Sequence, residues 1–174
     1  MGDNVPVLRF PEFSGEWEFQ RLDHIATINR GRFSPRPRND PRFYGGDIPF
    51  VQTSDVINAG GFIKNHTQTL NKEGLKVSKL FPRGTVLITI AANIGYSGVL
   101  EIDMACPDSL VGINCKNDVH NYFINYYFST QQKYIDYLAP EAAQKNINVN
   151  FLASYKISMT SSQEQQKIAN FLTS

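Results

Sequence analysis

The sequence has little of what metal centres and disulfide-linked folds require. Its 174 residues include two cysteines and three histidines, and none of them stands in a CxxC or HExxH spacing. Cys106 and Cys115 lie within the apolar text MACPDSLVGINC. We therefore expect two reduced, buried thiols in a cytoplasmic protein, and no bound metal. The alternative, a disulfide between the two, is not required by any other feature of the sequence.

Long hydrophobic runs are missing as well. The apolar stretches fall far short of the roughly 20 residues that a membrane-spanning helix needs. The first residues, MGDNVPVLRF, lack the basic start and apolar run of a secretory signal. With 41% hydrophobic and 19% charged residues, the composition is that of an ordinary globular protein. We expect one domain with a buried core, a cytoplasmic location and no membrane partner.

Catalytic motifs are also lacking. His24, His66 and His120 stand apart from one another, and there is neither a P-loop nor a dinucleotide-binding glycine motif. No nucleophile, base and orienting residue can be assembled from the scattered acids. We therefore expect no catalytic residues and no cofactor. One enzyme alternative is a metal-dependent nuclease using Asp47 and Asp55, and it predicts cleavage of DNA by the isolated chain.

Positive charge, by contrast, is concentrated in one segment. Residues 30–42, RGRFSPRPRNDPR, hold five arginines and one acid, so this arginine loop carries +4 while the remaining residues sum to −3. A basic loop on a slightly acidic body indicates an anionic partner. The alternative is a solvated loop whose arginines cover apolar surface or pair with acids. Pro35, Pro37 and Pro41 should stiffen the loop, because each fixes its own φ.

Strand patterns dominate most of the chain. RGTVLITI (83–90) is rich in β-branched residues and is predicted to be a strand buried on both faces. Further strands are predicted in IPFVQ (48–52), GGFIKN (60–65), ANIGYSGVLEI (92–102), SLVGINC (109–115) and YKISM (155–159). TSDV (53–56) is predicted to be a turn formed by Asp55, and Asn71–Leu80 a short helix.

The apolar period becomes helical over residues 117–138, with Asp118 as the expected cap. The last residues, SSQEQQKIANFLTS, begin with a capping-box pattern at Ser161 and Glu164. Ile168, Phe171 and Leu172 then recur at helical spacing and would pack against a partner helix. Together the elements predict an α+β fold, with a mixed, twisted β-sheet, one long helix and several short helices.

Polar segments that follow predicted strands favour recognition rather than catalysis. Glutamine and asparagine can hydrogen-bond adenine in the major groove, and arginine can do the same to guanine. Threonine, serine, lysine and histidine can hold phosphates. The chain presents such side chains in QTSD (52–55), KNHT (64–67) and QKNIN (144–148), beside the arginine loop. A rigid sheet carrying such loops is a suitable scaffold for a DNA reader.

Five segments in order resemble the target-recognition domains of type I restriction–modification specificity subunits. In the first, Trp17, Leu22, Ile25 and Gly31 fit the start of such a domain. Ser54 stands where the family usually has glycine, and MTSS (159–162) replaces a proline-rich step. The five segments are WEFQRLDHIATINRG, IPFVQTSDV, RGTVLITIAANIGYSGVL, AQKNINVNFLASYKISM and SSQEQQKIANFL.

The resemblance implies a non-catalytic subunit that recognises one half of a bipartite target in double-stranded DNA. It implies partner methyltransferase (M) subunits and restriction (R) subunits, which would carry S-adenosylmethionine, Mg and ATP. Family members hold two recognition domains separated by helices that form a coiled coil. Residues 1–160 would be one recognition domain, and residues 161–174 the start of the spacer helix. The chain would then be one domain of a longer subunit, or a half-subunit that pairs through this helix with a second recognition domain.

These considerations predict a DNA-binding surface with two kinds of contact. Phosphate contacts, with one or two to guanine edges, are assigned to Arg30, Arg32, Arg36, Arg38 and Arg42. Base-reading contacts are assigned to Gln52, Thr53, Ser54, Lys64, Asn65, His66, Gln144, Lys145 and Asn146, with Asn93 and Tyr96 as further candidates. The alternative is a protein-binding module that docks through its C-terminal apolar helix and whose basic loop is incidental.

Overall fold

A computed structural model describes residues 5–140 and 145–174 as an α+β domain. The strands of the described residues are β1 (Glu18–Arg21), β2 (Ala26–Arg30), β3 (Tyr44–Phe50), β4 (Phe62–Ile63), β5 (Gln68–Leu70), β6 (Lys79–Phe81), β7 (Val86–Thr89), β8 (Ser97–Leu100), β9 (Met104–Cys106), β10 (Leu110–Cys115) and β11 (Lys156–Met159). The helices are α1 (Leu22–Ile25), α2 (Thr53–Asn58), α3 (Lys72–Lys76), α4 (Asn121–Leu138), α5 (Val149–Ser154) and α6 (Ser162–Thr173). The predicted fold class, with one long helix and several short ones, is confirmed.

The largest sheet is mixed and has β7 at its centre. Its strand order is β2-β10-β7-β8-β4, with β4 parallel to β8 and the other neighbours antiparallel. Val86 and Ile88 point into the main core, which α4 covers, while Leu87 joins a second core on the opposite face. All four residues of β7 are buried, so the prediction of a strand buried on both faces is confirmed.

Two smaller sheets complete the fold. One has the order β5-β3-β9-β6, and the other pairs β1 with β11. The four-stranded sheet carries a separate aromatic core, in which the rings of Phe33 and Phe50 lie 5.1 Å apart. This core lies beneath the arginine loop, because Phe33 belongs to the loop and bridges to Ser78. In place of the single predicted sheet, residues 5–140 and 145–174 form three sheets.

Several predicted boundaries are corrected. TSDV begins helix α2 rather than forming a turn, because Gln52 and Asp55 form a reciprocal capping box that satisfies its first N–H groups. The N-cap position of helix α4 is His120, which makes no side-chain capping hydrogen bond, and not Asp118. Asp118 instead lies in a turn closed by the N–H of Val119 donating to the carbonyl of Lys116. Val119 is buried there, which ties the turn to the core.

Helix α6 starts at the predicted cap and is held by the N-terminal segment. The hydroxyl of Ser161 accepts from the backbone N–H of Glu164. The Glu164 side chain is 1% exposed and forms two 2.7 Å hydrogen bonds with Arg9, besides one from Thr160. Burial alone would raise the pKa of Glu164, but the hydrogen bonds from Arg9 and Thr160 and the charge of Arg9 lower it below its ordinary value.

We predict that Glu164→Gln removes a pH-dependent part of the stability. A carboxylate with a lowered pKa stabilises the fold above its ordinary value of 4.5 and loses that contribution as pH falls through the folded pKa. At pH 7 the variant should lose about 1–3 kcal/mol of unfolding free energy, the cost of breaking a buried, charge-assisted hydrogen bond. Urea unfolding from pH 7 to pH 3 measures this. A gap between variant and wild type that does not narrow below pH 4.5 would contradict the assignment.

None of the helices in residues 5–140 and 145–174 combines the length and the apolar character that crossing a membrane requires.

Candidate nucleic-acid interface

Strand direction brings most of the predicted contact residues to one end of the sheets. Strand β10 begins where β2 and β7 end, since Val111 pairs with Arg30 and Leu110 pairs with Thr89. Strands β3 and β9 run parallel and finish at this same end. The segments that meet here are the arginine loop, Gln52–Ser54, Asn93–Tyr96, Pro107–Ser109 and Lys145–Asn146, and we call this surface the loop face.

The β9–β10 turn, Pro107–Ser109, holds the arginine loop. The carboxylate of Asp108 accepts from Nη2 of Arg38 at 2.7 and 2.9 Å, and Nη2 of Arg36 lies 3.9 Å from it. Nε of Arg30 donates to the backbone carbonyl of Asp108 at 2.7 Å. Three of the five predicted arginines therefore converge on one residue that lies about 70 positions along the chain from Arg38.

The same turn holds the strand-end segments. The hydroxyls of Thr53 and Ser109 are 3.1 Å apart, and the N–H of Ile90 donates to the carbonyl of Ser109 at 3.1 Å. Gln52 and Arg38 line one pocket of about 420 Å³ with aromatic walls that include Phe33 and Tyr44. Ser54 is exposed on the first turn of α2. The arginine loop and the start of α2 thus form one continuous surface.

The β7–β8 turn and the segment before α5 extend the surface further. Asn93 and Tyr96 are exposed on this turn. Ala92, in the same turn, has a left-handed φ of 61°, which residues other than glycine rarely adopt. Asn146 bridges to Ala91 and is exposed. Lys145 forms a 3.1 Å ion pair with Asp136 of α4. Gln144 lies outside the described residues.

The structure does not bring Lys64 to the loop face. Because β4 runs parallel to β8, Lys64 emerges beside Glu101, at the end of β8 that lies away from the loop face. The chain then returns, and the N–H and hydroxyl of Thr67 donate to the carboxylate of Asp55. Asn65 and His66 lie in this connection between the two ends. The three are therefore weaker candidates for DNA contact than the sequence suggested.

The arginines of the loop are engaged within the chain yet remain exposed. Three of them pair with acids: Arg36 and Arg38 with Asp108, and Arg42 with Asp40. Arg32 donates to the carbonyl of Ser78, and Arg36 to carbonyls of its own loop. The side chain of Arg42 is 79% exposed and that of Arg36 58%. A surface pair such as that of Arg42 with Asp40 contributes about 0–1 kcal/mol, so an incoming phosphate can displace it.

Asp40, the acid within the arginine loop, is held in its charged form by Arg42. The guanidinium of Arg42 donates to Asp40, and this hydrogen bond, together with one from the backbone, lowers the pKa of that carboxyl. The alternative interpretation of the arginine loop, in which its arginines pair with acids, therefore holds for some of these arginines when no DNA is bound. Pairing of Arg42 with the half-buried Asp40 does not exclude DNA binding, because phosphates compete for the same donors.

Sequence reasoning missed Asp108 and Ser109. No strand was predicted at residues 104–106, so the turn that follows was not recognised as one joining two strands. The available signal was the text CPDS (106–109), in which Pro-Asp-Ser is typical of a turn. Asp108 is also an acid among basic neighbours, a feature that only the folded chain reveals.

The features of a nuclease or a thiol enzyme do not assemble in the described residues. Among them no group of three His, Cys, Asp or Glu side chains could hold a metal ion. The carboxylate of Asp55 is engaged by its own helix cap and by Thr67. Burial raises the pKa of Cys106, and it raises the pKa of Cys115 to about 12. Both cysteines are free thiols, with Cys106 buried and Cys115 half-buried.

The apolar residues of α6 divide between two environments. Ile168 packs against the main core, beside the buried Ala169. Phe171 and Leu172 are 66% and 51% exposed. Among the described aromatic rings Phe171 contacts only Phe10, in a T-shaped arrangement with centroids 5.6 Å apart. The predicted partner-facing set is therefore two residues at the end of the helix, and Ile168 anchors the helix to the domain.

The fold and the loop face described above can be compared with those of known proteins. The family described as Type I restriction modification DNA specificity domain matches residues 14–174. Because the match covers nearly the whole chain, this protein belongs to that family, and the resemblance noted in the sequence is confirmed.

Relatives and solved structures agree with this assignment. The type I restriction enzyme MjaIX specificity subunit of Methanocaldococcus jannaschii is 25% identical over 163 residues, covering 91% of this chain and 37% of the relative. The HsdS subunit from Thermoanaerobacter tengcongensis matches 94% of this chain and 38% of its own, with a TM-score of 0.69 and 18% identity. The type I S subunit from M. genitalium matches 99% and 41%, with a TM-score of 0.68 and 18% identity. The chain therefore spans well under half the length of these proteins.

Proposed function

We propose that this chain reads one half of a bipartite DNA target for a type I restriction–modification system, and that the loop face is its DNA-binding surface. The observation that carries the proposal is the convergence of the arginine loop with Gln52–Ser54, Asn93–Tyr96 and Lys145–Asn146 at one end of the sheets. A sheet edge that presents arginines beside amide and hydroxyl side chains supplies both phosphate and base-edge contacts.

The two contact classes have different measurable signatures. Each phosphate neutralised by an arginine of the loop should add about −0.9 to the slope of log K against log salt. A bidentate base contact should instead discriminate by about 1–3 kcal/mol at one position of the target. The arginines belong chiefly to the first class. Gln52, Thr53, Asn93 and Asn146 belong to the second.

In this proposal the chain itself performs no chemistry. Methyltransferase subunits would modify adenine with S-adenosylmethionine after rotating the base out of the stack, and restriction subunits would use ATP and Mg to cut unmodified DNA. The loop face would hold the surrounding duplex in the compartment where the DNA resides, the cytoplasm. Membership of the specificity family supports a reader rather than an enzyme.

We also propose that residues 161–174 begin a spacer that pairs with another helix. Phe171 and Leu172 are exposed at the end of α6, while its opposite face packs against α4 and the main core. Such a split suits a helix that continues into a coiled coil toward a second recognition domain or a dimer partner. The rival function, protein docking through this helix alone, leaves the convergence at the loop face without a purpose.

Selection from a random duplex library at low salt tests the proposal. The pure chain is mixed with the library, retained DNA is sequenced, and a salt series is run on the same sample. Enrichment of a short fixed motif would support a sequence reader and define its half-site. No retention at any salt concentration would overturn stand-alone DNA reading and favour the protein-docking function. Cleavage of retained DNA upon addition of Mg²⁺ would instead favour the nuclease alternative.

A further inference from the structure

We infer that Asp108 is a positioning residue that sets the specificity of the loop face: it holds Arg38 for a base contact and withholds it from phosphates. The inference rests on the proposed function and adds to it a residue that lies outside every predicted contact segment. Asp108 is an acid placed on the surface where DNA is proposed to bind, and a carboxylate there would repel the phosphate backbone unless it served another contact.

The geometry around Asp108 is that of a support rather than an incidental surface pair. Both carboxylate oxygens accept from the same nitrogen, Nη2 of Arg38, at 2.7 and 2.9 Å. The carboxylate is 30% exposed, and the Arg38 side chain is 48% exposed. The pair joins residues 70 positions apart in the sequence, so it fixes the arginine loop relative to the sheet. The pair between Arg42 and Asp40, two positions apart, cannot do this.

The turn that carries Asp108 is itself held in place. The N–H of Leu110 donates to the carbonyl of Pro107 at 3.2 Å, and the N–H of Gly31 donates to the carbonyl of Leu110 at 2.9 Å. Ser109 is bound to Thr53 and Ile90 on the side facing α2 and β7. Asp108 therefore presents its carboxylate from a turn fixed on both sides, which is the condition for orienting another side chain.

The remaining donors of Arg38 suit a guanine edge. Both oxygens of Asp108 lie on one side of a single nitrogen, Nη2, so the second N–H of Nη2 stays available to form a two-donor fork with a neighbouring nitrogen of the guanidinium. A guanine edge in the major groove offers two acceptors, O6 and N7, to an arginine. A carboxylate that has already engaged one nitrogen lowers the entropy lost when the others bind a base. It also neutralises the charge that would otherwise attract any phosphate.

This arrangement predicts opposite effects on matched and unmatched DNA. Without the carboxylate, Arg38 and Arg36 are released toward the backbone, so binding to unrelated duplex should strengthen and depend more steeply on salt. Binding to the selected half-site should weaken or stay unchanged, because the released arginine loses its orientation. The ratio of the two affinities should therefore fall by at least about tenfold, the loss of one oriented base contact.

The experiment compares Asp108→Asn with Asp23→Asn, which makes the same change in charge. Asp23 lies on α1, before β2 begins, and so is away from the loop face; it pairs with Arg21, the last residue of β1. Affinity for the selected half-site and for an unrelated duplex of equal length is measured by fluorescence anisotropy across a salt series. A specificity loss in Asp108→Asn, with a salt slope steeper by about one to two, is the expected result. Asp23→Asn should leave the ratio unchanged.

Arg38→Lys tests the base contact independently of Asp108, because lysine keeps the charge but lacks the planar, two-donor guanidinium. It should retain the salt slope of the wild type while losing discrimination at one guanine. Equal effects of Asp108→Asn and Asp23→Asn, or undiminished discrimination by Arg38→Lys, would overturn the inference while wild-type binding upholds the proposed function. Failure of the wild type to bind any duplex would overturn the proposed function and this inference with it.

Discussion

Changing Arg36 and Arg38 together to glutamate should abolish DNA binding while leaving the fold intact. Both side chains are about half exposed, and neither is part of a hydrophobic core. The change removes two cations from the loop face and adds two anions that repel phosphates beside Asp108. At moderate salt we expect an affinity loss of at least about 100-fold. The salt slope should become shallower by about one, because Arg36 is lost as a phosphate contact while Asp108 holds Arg38 for a base. Binding is measured by fluorescence anisotropy, and folding by circular dichroism and thermal unfolding.

Arg83 and Lys116 provide the matched control for this double reversal. They flank β7 and β10 at the end of the sheet opposite the loop face, where β7 begins and β10 ends. Changing both to glutamate alters the net charge by the same amount. Only a small, salt-dependent weakening is expected, since most of the effect of an exposed charge is lost beyond about 10 Å at 0.1 M salt. Equal losses from the two double variants would mean that net charge, rather than the loop face, governs binding.

Gly31→Ala should be the most destabilising single-methyl addition near the loop face. A Cβ at Gly31 would collide with the backbone carbonyl oxygen of Pro107 and lie 2.9 Å from that of Cys106. These are backbone atoms of the β9–β10 turn and cannot move aside as a flexible side chain would. We expect a loss of about 3 kcal/mol or more in unfolding free energy, at the upper end of overpacking effects. Chemical denaturation with two spectroscopic probes measures this loss.

Gly60→Ala separates this collision from the ordinary cost of replacing glycine. Gly60 has φ of 59°, and no atom lies within 4 Å of the position that an added Cβ would occupy, so its only penalty is conformational. That penalty is about 1 kcal/mol. If Gly31→Ala costs no more than Gly60→Ala, the β9–β10 turn is free to shift, and its proposed role in fixing Asp108 fails. If the turn shifts in Gly31→Ala, this variant should also discriminate less between the selected half-site and unrelated DNA than another variant of equal stability.

Elements with strong patterns could be predicted from the sequence, and elements defined by partners could not. The run from Val86 to Thr89 is so apolar and β-branched that only a buried strand accommodates it. The period that predicted α4 extends over its 18 residues. Strand β9, with three residues, is a strand because β3 and β6 lie on either side of it. Helix α2 depends on one capping box, and the residues TSDV by themselves favour a turn as much as a helix.

The candidate site was predictable in its composition but not in its arrangement. The arginine loop is visible because its charge and prolines are local in sequence. Its partner Asp108 is 70 residues distant from Arg38, and no local pattern records that proximity. In the sequence, Lys64 and Gln52 both stand near the ends of predicted strands, which favours placing them on one surface. The parallel pairing of β4 with β8 takes Lys64 to the opposite end, and a strand of two residues carries no sequence signal for its direction.

The pairing of β1 with β11 has a consequence for how such a domain can be exchanged. Glu18 lies opposite Met159 and Arg21 opposite Lys156, so the chain enters the domain and leaves it side by side. The segment between these strands, which includes the whole loop face, therefore starts and ends at two positions, Glu18 and Met159, that are neighbours in space. Recombination at those positions would transplant one DNA preference into another host protein without changing the distance or direction between the flanking segments. New target specificities could thus arise by exchange of an intact unit, without gradual remodelling of its loops.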